Sequence, residues 1–264
     1  MIEVPFGQLG SLAAKFRYTF EYLGSVARLA AATVARAGRR PWMVAESVYQ
    51  IEAIGVRSLA IVVLTAVFSS LVMTVQFAVQ LARFGAKEYV GTVVSLSLVR
   101  ELGPVLTALM VGGRVGAGIA AELGSMSVTE QIDAIRSMGA DPVRKLVVPR
   151  VVAGVVCLPL LTALADALGV VGAMVIARLK DGVNMTYFYT SVIHAVTISD
   201  LLGGLLKTVF FGFAITVIAC HQGISTRGGT EGVGQSTTQT VVITSIVTLV
   251  SDFLLTSLLL EFGL

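Results

Sequence analysis

The sequence predicts an all-α integral membrane protein, and three observations support that fold class. Of the 264 residues, 55% are hydrophobic and only 13% are charged, whereas about a quarter of the residues of a soluble domain are charged. Five apolar stretches are each long enough to cross about 30 Å of hydrocarbon as a helix. They occupy residues 59–82, 89–113, 151–177, 193–220 and 237–260. Leaving out Arg114 at the edge of the second span, twelve Lys and Arg residues lie in the segments on the same side as the N-terminus and four in the segments on the other side. This bias predicts a cytoplasmic N-terminus and a C-terminus across the membrane.

Residues 1–58 are predicted to form interfacial and elbow helices on the cytoplasmic side, ahead of a five-span region at 59–264. Apolar residues recur there at three- and four-residue steps, as in an amphipathic helix that lies in the membrane interface. These positions are Leu9, Leu12, Phe16, Phe20, Leu23 and Ala27. Pro41 then breaks the pattern, and Trp42 is placed as an interfacial anchor. A small cytosolic helical hairpin is the alternative.

Several classes of function are poorly supported. The net charge of +3 is too small to indicate nucleic acid as a partner. Cys157 and Cys220 both lie in apolar stretches, so we expect buried thiols and no disulfide framework or metal site. The two histidines sit near opposite ends of the predicted fourth span, which disfavours nucleophilic catalysis. The segment "GGRVGAG" lacks the lysine of a phosphate loop. We therefore predict no catalytic residue here, and ATP would have to be hydrolysed by another chain.

The loop between the second and third predicted spans carries the pattern of a short cytosolic helix at about 128–138. Ser127 and Glu130 have capping-box spacing, and Gly139 is placed to end the helix. The apolar face consists of Val128, Ile132, Ile135 and Met138, and the polar positions around it are Glu130, Gln131, Asp133 and Arg136. Such a helix can receive force from a motor subunit. The alternative is a loop helix that packs on its own bundle.

The end of the predicted second span is rich in small residues. Gly112 and Gly116 are four residues apart, as are Gly113 and Ala117. Small residues at this spacing allow two helices to approach closely in a membrane. The pattern therefore predicts tight helix packing, without specifying which helix is the neighbour.

Four charged residues, whose charges sum to zero, are predicted to lie at similar depth near the middle of the spans. They are Arg100, Glu101, Lys207 and Asp252. Asp166 is near the middle of the predicted third span. A lone charge at the centre of a bilayer costs about 2.5–3.5 kcal/mol on insertion scales. We therefore expect the four to pair with one another, to face a wet cavity, or both.

The predicted fifth span supports a polar cluster, because hydroxyl side chains and one carboxylate recur there at every fourth residue. The positions are Ser236, Thr240, Thr244, Thr248, Asp252 and Thr256. This stripe should face protein or water, since lipid would leave it unpaired. The charges either gate a cavity, with Pro104 bending the helix nearby, or only set the helix register. Phe77, Leu81 and Phe84 could supply an apolar wall of that cavity, although a stripe of this kind is also typical of plain packing.

Three segments resemble one known family. They are "LVRELGPVLTALMVGGRVGAGIAAELG", "TEQIDAIRSMGADPVRKLVVPRVVAG" and "RGGTEGVGQSTTQTVV". Together they are similar to the MlaE/YrbE family, the permease subunits of Mla-type ABC lipid transporters, and the resemblance covers roughly residues 59–262. Arg100 and Glu101 fall on the family's R-E pair, and Lys207 and Asp252 occupy its matching positions.

The resemblance implies a homodimer in a bacterial inner membrane that moves phospholipid between the inner and outer membranes. It implies a cytosolic MlaF-like ATPase, which binds ATP and Mg²⁺, docked on the 128–138 helix. It further implies an MlaB-like STAS-domain protein bound to that ATPase and a periplasmic ring of MlaD-like MCE-domain subunits. The four charges would lie near the lipid cavity. An ion-coupled secondary transporter that uses buried carboxylates, and a scaffold that transports nothing, remain the rival hypotheses.

Overall fold

The computed structural model describes residues 6–38 and 43–261, and every regular element in these ranges is helical. Five helical segments are long and apolar enough to cross a membrane. They are Val44–Arg83, Lys87–Val128, Val143–Lys180, Ile198–Ile224 and Gly229–Glu261. The predicted fold class and number of spans are confirmed. The spans are longer than predicted mainly at one end of the bundle. Polar residues continue the helices there, although the apolar stretches used for the prediction had already ended.

The first helix, α1 (Phe6–Ala37), runs beside the bundle. Val26, Leu29 and Ala30 pack against the main core, whereas Phe20 and Leu23 are exposed. The helix therefore contacts the bundle through one face and leaves the predicted apolar face open, as an interfacial helix requires. The predicted roles of Leu9, Leu12, Phe16, Pro41 and Trp42 fall outside the side chains that the structure describes.

The first span consists of α2 (Val44–Ile54), a 3₁₀ turn and α3 (Leu59–Arg83). Small side chains recur at nearly every fourth residue of α3 and form its buried face: Val62, Ala66, Ser70, Thr74 and Ala78. Ser70 Oγ donates a hydrogen bond of 2.6 Å to the carbonyl of Gly169 in the third span. Small residues thus let these two spans pack closely along their length.

The second span is three α-helices joined by two π-helical turns. The helices are α4 (Val90–Ser97), α5 (Gly103–Val111) and α6 (Ala117–Val128), and the π turns are Leu98–Leu102 and Gly112–Gly116. The first π turn lies directly before α5, and Pro104 is in the first turn of α5. Single π turns inside a helix often mark functional positions.

The predicted loop helix is α7 (Gln131–Ser137), shorter than the 128–138 range because α6 itself continues to Val128. The predicted capping box is wrong. Glu130 adopts a left-handed conformation with φ of 58° and its side chain makes no cap. Ser127 Oγ instead donates to the carbonyls of Ile224 and Thr226. Gly139 ends the helix at φ of 78°, as predicted.

The third span begins with a π turn and continues as α8 (Val148–Asp181). A separate helix, α9 (Met185–Ala195), follows it, and the fourth span is α10 (Ile198–Ile224). The predicted start of the fourth span at 193 is therefore wrong. Val196 and Thr197 are extended, and Thr197 and Asp200 form a capping box that begins α10.

The fifth span, α11 (Gly229–Glu261), lies at the edge of the bundle and α10 lies near its centre. Over the most apolar 18 residues of α10, 56% of the residues are buried, whereas only 17% are buried over the corresponding stretch of α11. We call the end of the bundle that carries α7 the loop-helix end, and the end that carries α9 the far end. Apolar side chains of α11, including Val250, Phe253 and Leu254, are left exposed.

Candidate functional site

Lys207 is the centre of a polar cluster that joins the second, fourth and fifth spans. Its Nζ lies 2.9 Å from Glu101 Oε1 and 3.4 Å from Asp252 Oδ1. It also donates to Thr256 Oγ1 at 2.7 Å, and the Lys207 side chain is only 3% exposed. We call Glu101, Lys207, Asp252 and Thr256 the far-end cluster. An ammonium at this burial is tolerated because two carboxylates and a hydroxyl surround it.

The backbone of the first π turn contributes directly to this cluster. Lys207 Nζ donates to the carbonyl of Arg100 at 3.0 Å. One turn earlier in α10, a Cβ on Gly204 would lie 2.3 Å from the carbonyl oxygen of Val99. Only glycine allows this approach, because that distance is far below van der Waals contact. The glycine therefore brings α10 onto the π turn and places Lys207 within reach of Glu101.

Arg100 lies beside the far-end cluster and has a different carboxylate partner. Its guanidinium pairs with Asp200, whose side chain is 3% exposed and also accepts hydrogen bonds from the Thr197 amide and hydroxyl. The four predicted charges therefore do not pair only with one another, because Arg100 pairs with a fifth charged residue, Asp200. Asp200 was missed by the sequence analysis. The signal that could have found it is the T-x-x-D spacing directly before an apolar run.

The depth of the cluster differs from the predicted midpoint. Lys207 is in the third turn of α10, which begins at Ile198, and Asp252 is within the last three turns of α11, which ends at Glu261. At 1.5 Å per residue these side chains lie about 13 Å from the far end of their spans. The spans are longer at the loop-helix end than predicted, and this places the cluster in the far half of the bundle.

A cavity of about 30 Å³ lies among these side chains. Its lining includes Arg100, Asp200, Lys207, Thr256 and Leu259. This volume holds about one water molecule, whereas pockets for small ligands measure about 300–1,000 Å³. Within one chain the far-end cluster therefore leaves too little space for a lipid, which would have to bind mainly outside it.

The predicted apolar wall is not beside this cavity. Phe77 and Leu81 pack against a second core that includes Val90, Ala173 and Phe188. Phe84 is 82% exposed just after α3. None of the three predicted wall residues lines the 30 Å³ cavity. In the single chain Phe77 and Leu81 therefore serve packing, and Phe84 is exposed on the surface.

The hydroxyl stripe of α11 faces the second span, as predicted for a stripe that avoids lipid. Thr240, Thr244 and Thr248 are buried. A Cβ on Gly112 would lie 3.3 Å from Thr244 Oγ1, and one on Gly116 would lie 3.5 Å from Thr240 Cγ2. The neighbour of this glycine pair is therefore α11 of the same chain. Gly113 has open space around it and Ala117 is only partly buried, so the second small pair lies on another face.

Asp166 is buried in α8 away from the far-end cluster. Its carboxylate lies against Gly103 at the end of the first π turn, where a Cβ would overlap Asp166 Oδ1. Oδ1 has no hydrogen-bond partner among the described residues. The hydroxyl of Thr162, one turn away on the same helix, also has no hydrogen-bond partner among the described residues.

The loop-helix end holds α7 against the bundle through its apolar face. Ile132 and Ile135 are buried in the main core, so these predicted docking residues serve internal packing. Met138 is 73% exposed. Gln131, Asp133 and Arg136 are also exposed, and Asp133 and Arg136 form an ion pair of 2.9 Å. A groove of about 680 Å³ runs between α7 and the α10–α11 connection. The outward surface of α7 is therefore polar, with one exposed methionine.

Helix α1 is attached to the same end by polar contacts. Ser25 Oγ lies 2.7 Å from Nε2 of His221, and Tyr22 meets the His221 ring edge to face at 5.2 Å between centroids. Arg36 pairs with Asp141 in the loop after α7. Burial is the largest single influence on the Asp141 carboxyl and raises its pKa. The hydrogen bond and charge of Arg36, together with the backbone amides of Val143 and Arg144, outweigh burial and hold this pKa below the ordinary value of 3.8.

These features define a helical membrane protein of five spans, with a polar cluster centred on a buried lysine in one half and a partly exposed loop helix at the opposite end. The family model described as permease MlaE matches residues 47–258. The chain belongs to the MlaE permease family.

Individual relatives extend this comparison. A probable ABC transporter permease protein of Rickettsia felis is 42% identical over 236 residues, covering 89% of this chain and 91% of the relative. The intermembrane phospholipid transport system permease protein MlaE of Haemophilus influenzae is 40% identical over 217 residues, covering 82% and 83%. A chloroplastic Arabidopsis thaliana protein, TRIGALACTOSYLDIACYLGLYCEROL 1, is 38% identical over 208 residues, covering 79% and 59%.

Proposed function

We propose that this chain is the permease subunit of an ABC transporter that moves phospholipids between the inner and outer membranes of a bacterium and so maintains outer-membrane lipid asymmetry. It would lie in the inner membrane, with its N-terminus in the cytoplasm and its C-terminus in the periplasm. The observation that carries the proposal is the Lys207-centred cluster on three spans. The Haemophilus relative's role in intermembrane phospholipid transport supports the choice of cargo.

The lipid is held in a cavity at a homodimer interface. One chain encloses only about 30 Å³ at the far-end cluster, which is far too small for a phospholipid. The outer face of α11 is apolar and exposed, and α11 carries Asp252 and Thr256 of the cluster on its other side. A second copy packed near α11 would enclose apolar walls next to the charges, as acyl chains and a headgroup require.

A separate cytosolic ATPase of the MlaF type drives the cycle and binds ATP and Mg²⁺. It docks on the outward surface of α7, where Asp133, Arg136 and Met138 are exposed. Because Ile132 and Ile135 anchor α7 in the main core, a push on α7 is transmitted to the bundle. An MlaB-like protein binds the ATPase, and a ring of MlaD-like subunits receives lipid on the periplasmic face.

In this cycle the far-end cluster is the gate. Lys207 closes the space between the second, fourth and fifth spans while Glu101 and Asp252 neutralise it. A shift of α11 relative to α10 separates Asp252 and Thr256 from Lys207. The ammonium then becomes available to a lipid phosphate, which replaces the lost carboxylate as its partner.

Lipid transfer by the assembled complex tests this role. We expect Glu101→Ala to lower both lipid transfer and lipid-stimulated ATP hydrolysis at least about tenfold in a folded complex. The matched control is Lys180→Ala, which removes an exposed lysine near the far end of α8. This variant should leave lipid transfer and ATP hydrolysis unchanged. Unchanged transfer in the Glu101 variant would reject the gate.

Composition of the native complex tests the assembly separately. Native mass spectrometry of the chain purified from its own membranes should give two copies with two ATPase subunits and bound phospholipid. Met138→Asp should release the ATPase and keep the dimer, because Met138 makes little contact with its own bundle. A chain that arrives alone and free of lipid would contradict the proposal.

One observation favours a second candidate, an ion-coupled secondary transporter. Asp166 is 6% exposed and has an oxygen without a partner in the described structure, and unpaired carboxylates inside a bundle are typical of proton relays. Transport that follows a proton gradient without any ATPase, and that Asp166→Asn abolishes, would support this candidate.

A further inference from the structure

A cavity of about 360 Å³ separates α1 from the bundle at the loop-helix end. We call it the α1 cavity. Ser25, Arg28 and Leu29 of α1 form one side, and the other side includes Arg136, Val143, His221 and Ile224. Its volume is about tenfold that of the far-end cavity and falls in the range of sites that hold small molecules or headgroups.

The charges around the α1 cavity leave one cation without an acidic partner. Asp141 pairs with Arg36, and Arg136 pairs with Asp133. Arg28 has no carboxylate partner among the described side chains, although it lines the cavity. The lining of the α1 cavity therefore carries two guanidinium groups, those of Arg28 and Arg136, and one carboxylate, that of Asp141. An anion placed beside Arg28 would complete the balance and accept its hydrogen bonds.

The interior of the cavity is suited to an amphiphile. Leu29 and Ile224 extend from the main core, and Val143 lies beside them on the lining. His221 and Ile224 are in the last turn of α10, and Val143 begins the third span. The cavity is therefore at the level where spans enter and leave the membrane, which is where lipid phosphates lie.

We propose that the α1 cavity binds the phosphate headgroup of an anionic phospholipid from the leaflet at the loop-helix end. Arg28 is the main ligand of the phosphate, and the first methylene groups of the lipid pack on Leu29 and Ile224. This lipid is a resident that fastens α1 to the bundle. It is separate from transported lipid at the far-end cluster, because Lys207 and the cavity residues His221 and Ile224 are about 20–25 Å apart along α10.

Site-specific photo-crosslinking in the complete complex tests this proposal. p-Benzoylphenylalanine replaces Ser225, which lines the α1 cavity, and in a second preparation it replaces Phe84, which is exposed near the far end. Each complex is placed in nanodiscs of phosphatidylglycerol and phosphatidylethanolamine. We expect phosphatidylglycerol adducts to exceed their share of the bilayer at position 225 and to match that share at position 84.

Charge variants then identify the ligand. Arg28→Gln should lower the phosphatidylglycerol adduct at position 225 about fivefold, the effect of one basic residue at a lipid surface. Arg178→Gln removes an exposed arginine near the far end and should leave the adduct unchanged. An adduct at position 84 that persists in both variants shows that the complexes remain folded in the bilayer. Equal adduct yields in the Arg28→Gln variant and the wild type would overturn the proposal.

Two further arms separate lipid from free phosphate and from the transport site. Excess inorganic phosphate should leave the adduct at position 225 in place, because the cavity also holds lipid methylenes. Loss of the adduct would assign the site to a free anion and overturn the lipid. Glu101→Ala should lower lipid transfer without changing this adduct, so failure of the transport proposal and failure of the α1 cavity give different results.

Discussion

The far-end cluster and the loop helix α7 hold their charged residues in opposite ways. At the far end, Lys207 contacts Glu101, Asp252 and Thr256, which come from the second and fifth spans and are distant in sequence. At the loop-helix end, Asp133 and Arg136 pair within a single turn of α7 and are both exposed. The space beside the charges differs too. The cavity at the far-end cluster measures about 30 Å³, whereas the groove beside α7 measures about 680 Å³.

This difference indicates which end can change its contacts at low cost. A buried ion pair that loses one partner leaves an uncompensated charge, so opening the far-end cluster would cost free energy unless a ligand replaced the lost contact. An exposed pair within one turn contributes little to stability and is free to meet another protein. The far end is therefore suited to a gate and the loop-helix end to a docking surface.

Replacing Lys207 should give the largest effect. Lys207→Met leaves Glu101 and Asp252 without their shared cation, and we expect the free energy of unfolding to fall by about 3–5 kcal/mol. Thermal unfolding of the purified protein in detergent measures the change. The triple variant with Glu101→Gln and Asp252→Asn should recover most of it, because no charge remains uncompensated. A single variant as stable as the wild type would show that these ion pairs do not hold the far end together.

Two adjacent glycines test how α10 reaches the π turn. Gly204→Ala places a Cβ 2.3 Å from the Val99 carbonyl, whereas Gly203→Ala meets only Leu259 Cδ1 at 3.9 Å. We expect Gly204→Ala to cost about 1–3 kcal/mol of stability and Gly203→Ala to cost less than about 0.5 kcal/mol. Unfolding midpoints of the two variants, measured side by side, decide this. Equal midpoints would mean that close approach at Gly204 is not required.

A third variant sharpens the contrast at the loop-helix end. Asp133→Ala breaks an exposed ion pair and should change stability by only about 0.2–0.5 kcal/mol. The same variant should weaken co-purification of the ATPase, because Asp133 lies on the outward surface of α7. A large loss of stability with normal ATPase binding would reverse the roles that we assign to the two ends.

A pH-dependent effect concerns the Arg36–Asp141 pair, in which both side chains are about one-third exposed. The pKa of Asp141 is lowered in the folded protein, so the carboxylate stabilises the fold above its unfolded pKa of 3.8, and this contribution is lost as pH falls through the lower folded value. Asp141→Asn should therefore cost up to about 1 kcal/mol at neutral pH. The difference from the wild type should vanish in strong acid, as a pH series of unfolding midpoints would show.

Much of the fold follows from local patterns in the sequence. The five spans can be recognised in the sequence because each needs a continuous apolar stretch long enough to cross the hydrocarbon of the membrane. The buried face of α11 could be predicted from hydroxyl residues such as Thr240 and Thr244, which lipid would leave unpaired. Gly139 could be placed at the end of α7 because its φ of 78° suits glycine.

Other features could not be predicted from the sequence. The π turns at Leu98–Leu102 and Gly112–Gly116 depend on contacts with α10 and α11, and no residue pattern within them marks the change of hydrogen bonding. Asp200 was missed as the partner of Arg100 because the two are a hundred residues apart. The predicted capping box at Ser127 failed because Ser127 donates its hydrogen bond to the α10–α11 connection instead.

The sequence by itself determined that this protein spans a membrane five times, that its charges must pair or face water inside the bundle, and that a short helix lies in one loop. Each of these follows from the free energy of placing a residue in water or lipid, which depends mainly on the residue and its near neighbours. Only the tertiary structure decided that Lys207 pairs with Glu101 and Asp252 while Arg100 pairs with Asp200. That choice depends on how closely α10 approaches the π turn at Gly204, a distance that packing sets and that no local pattern contains.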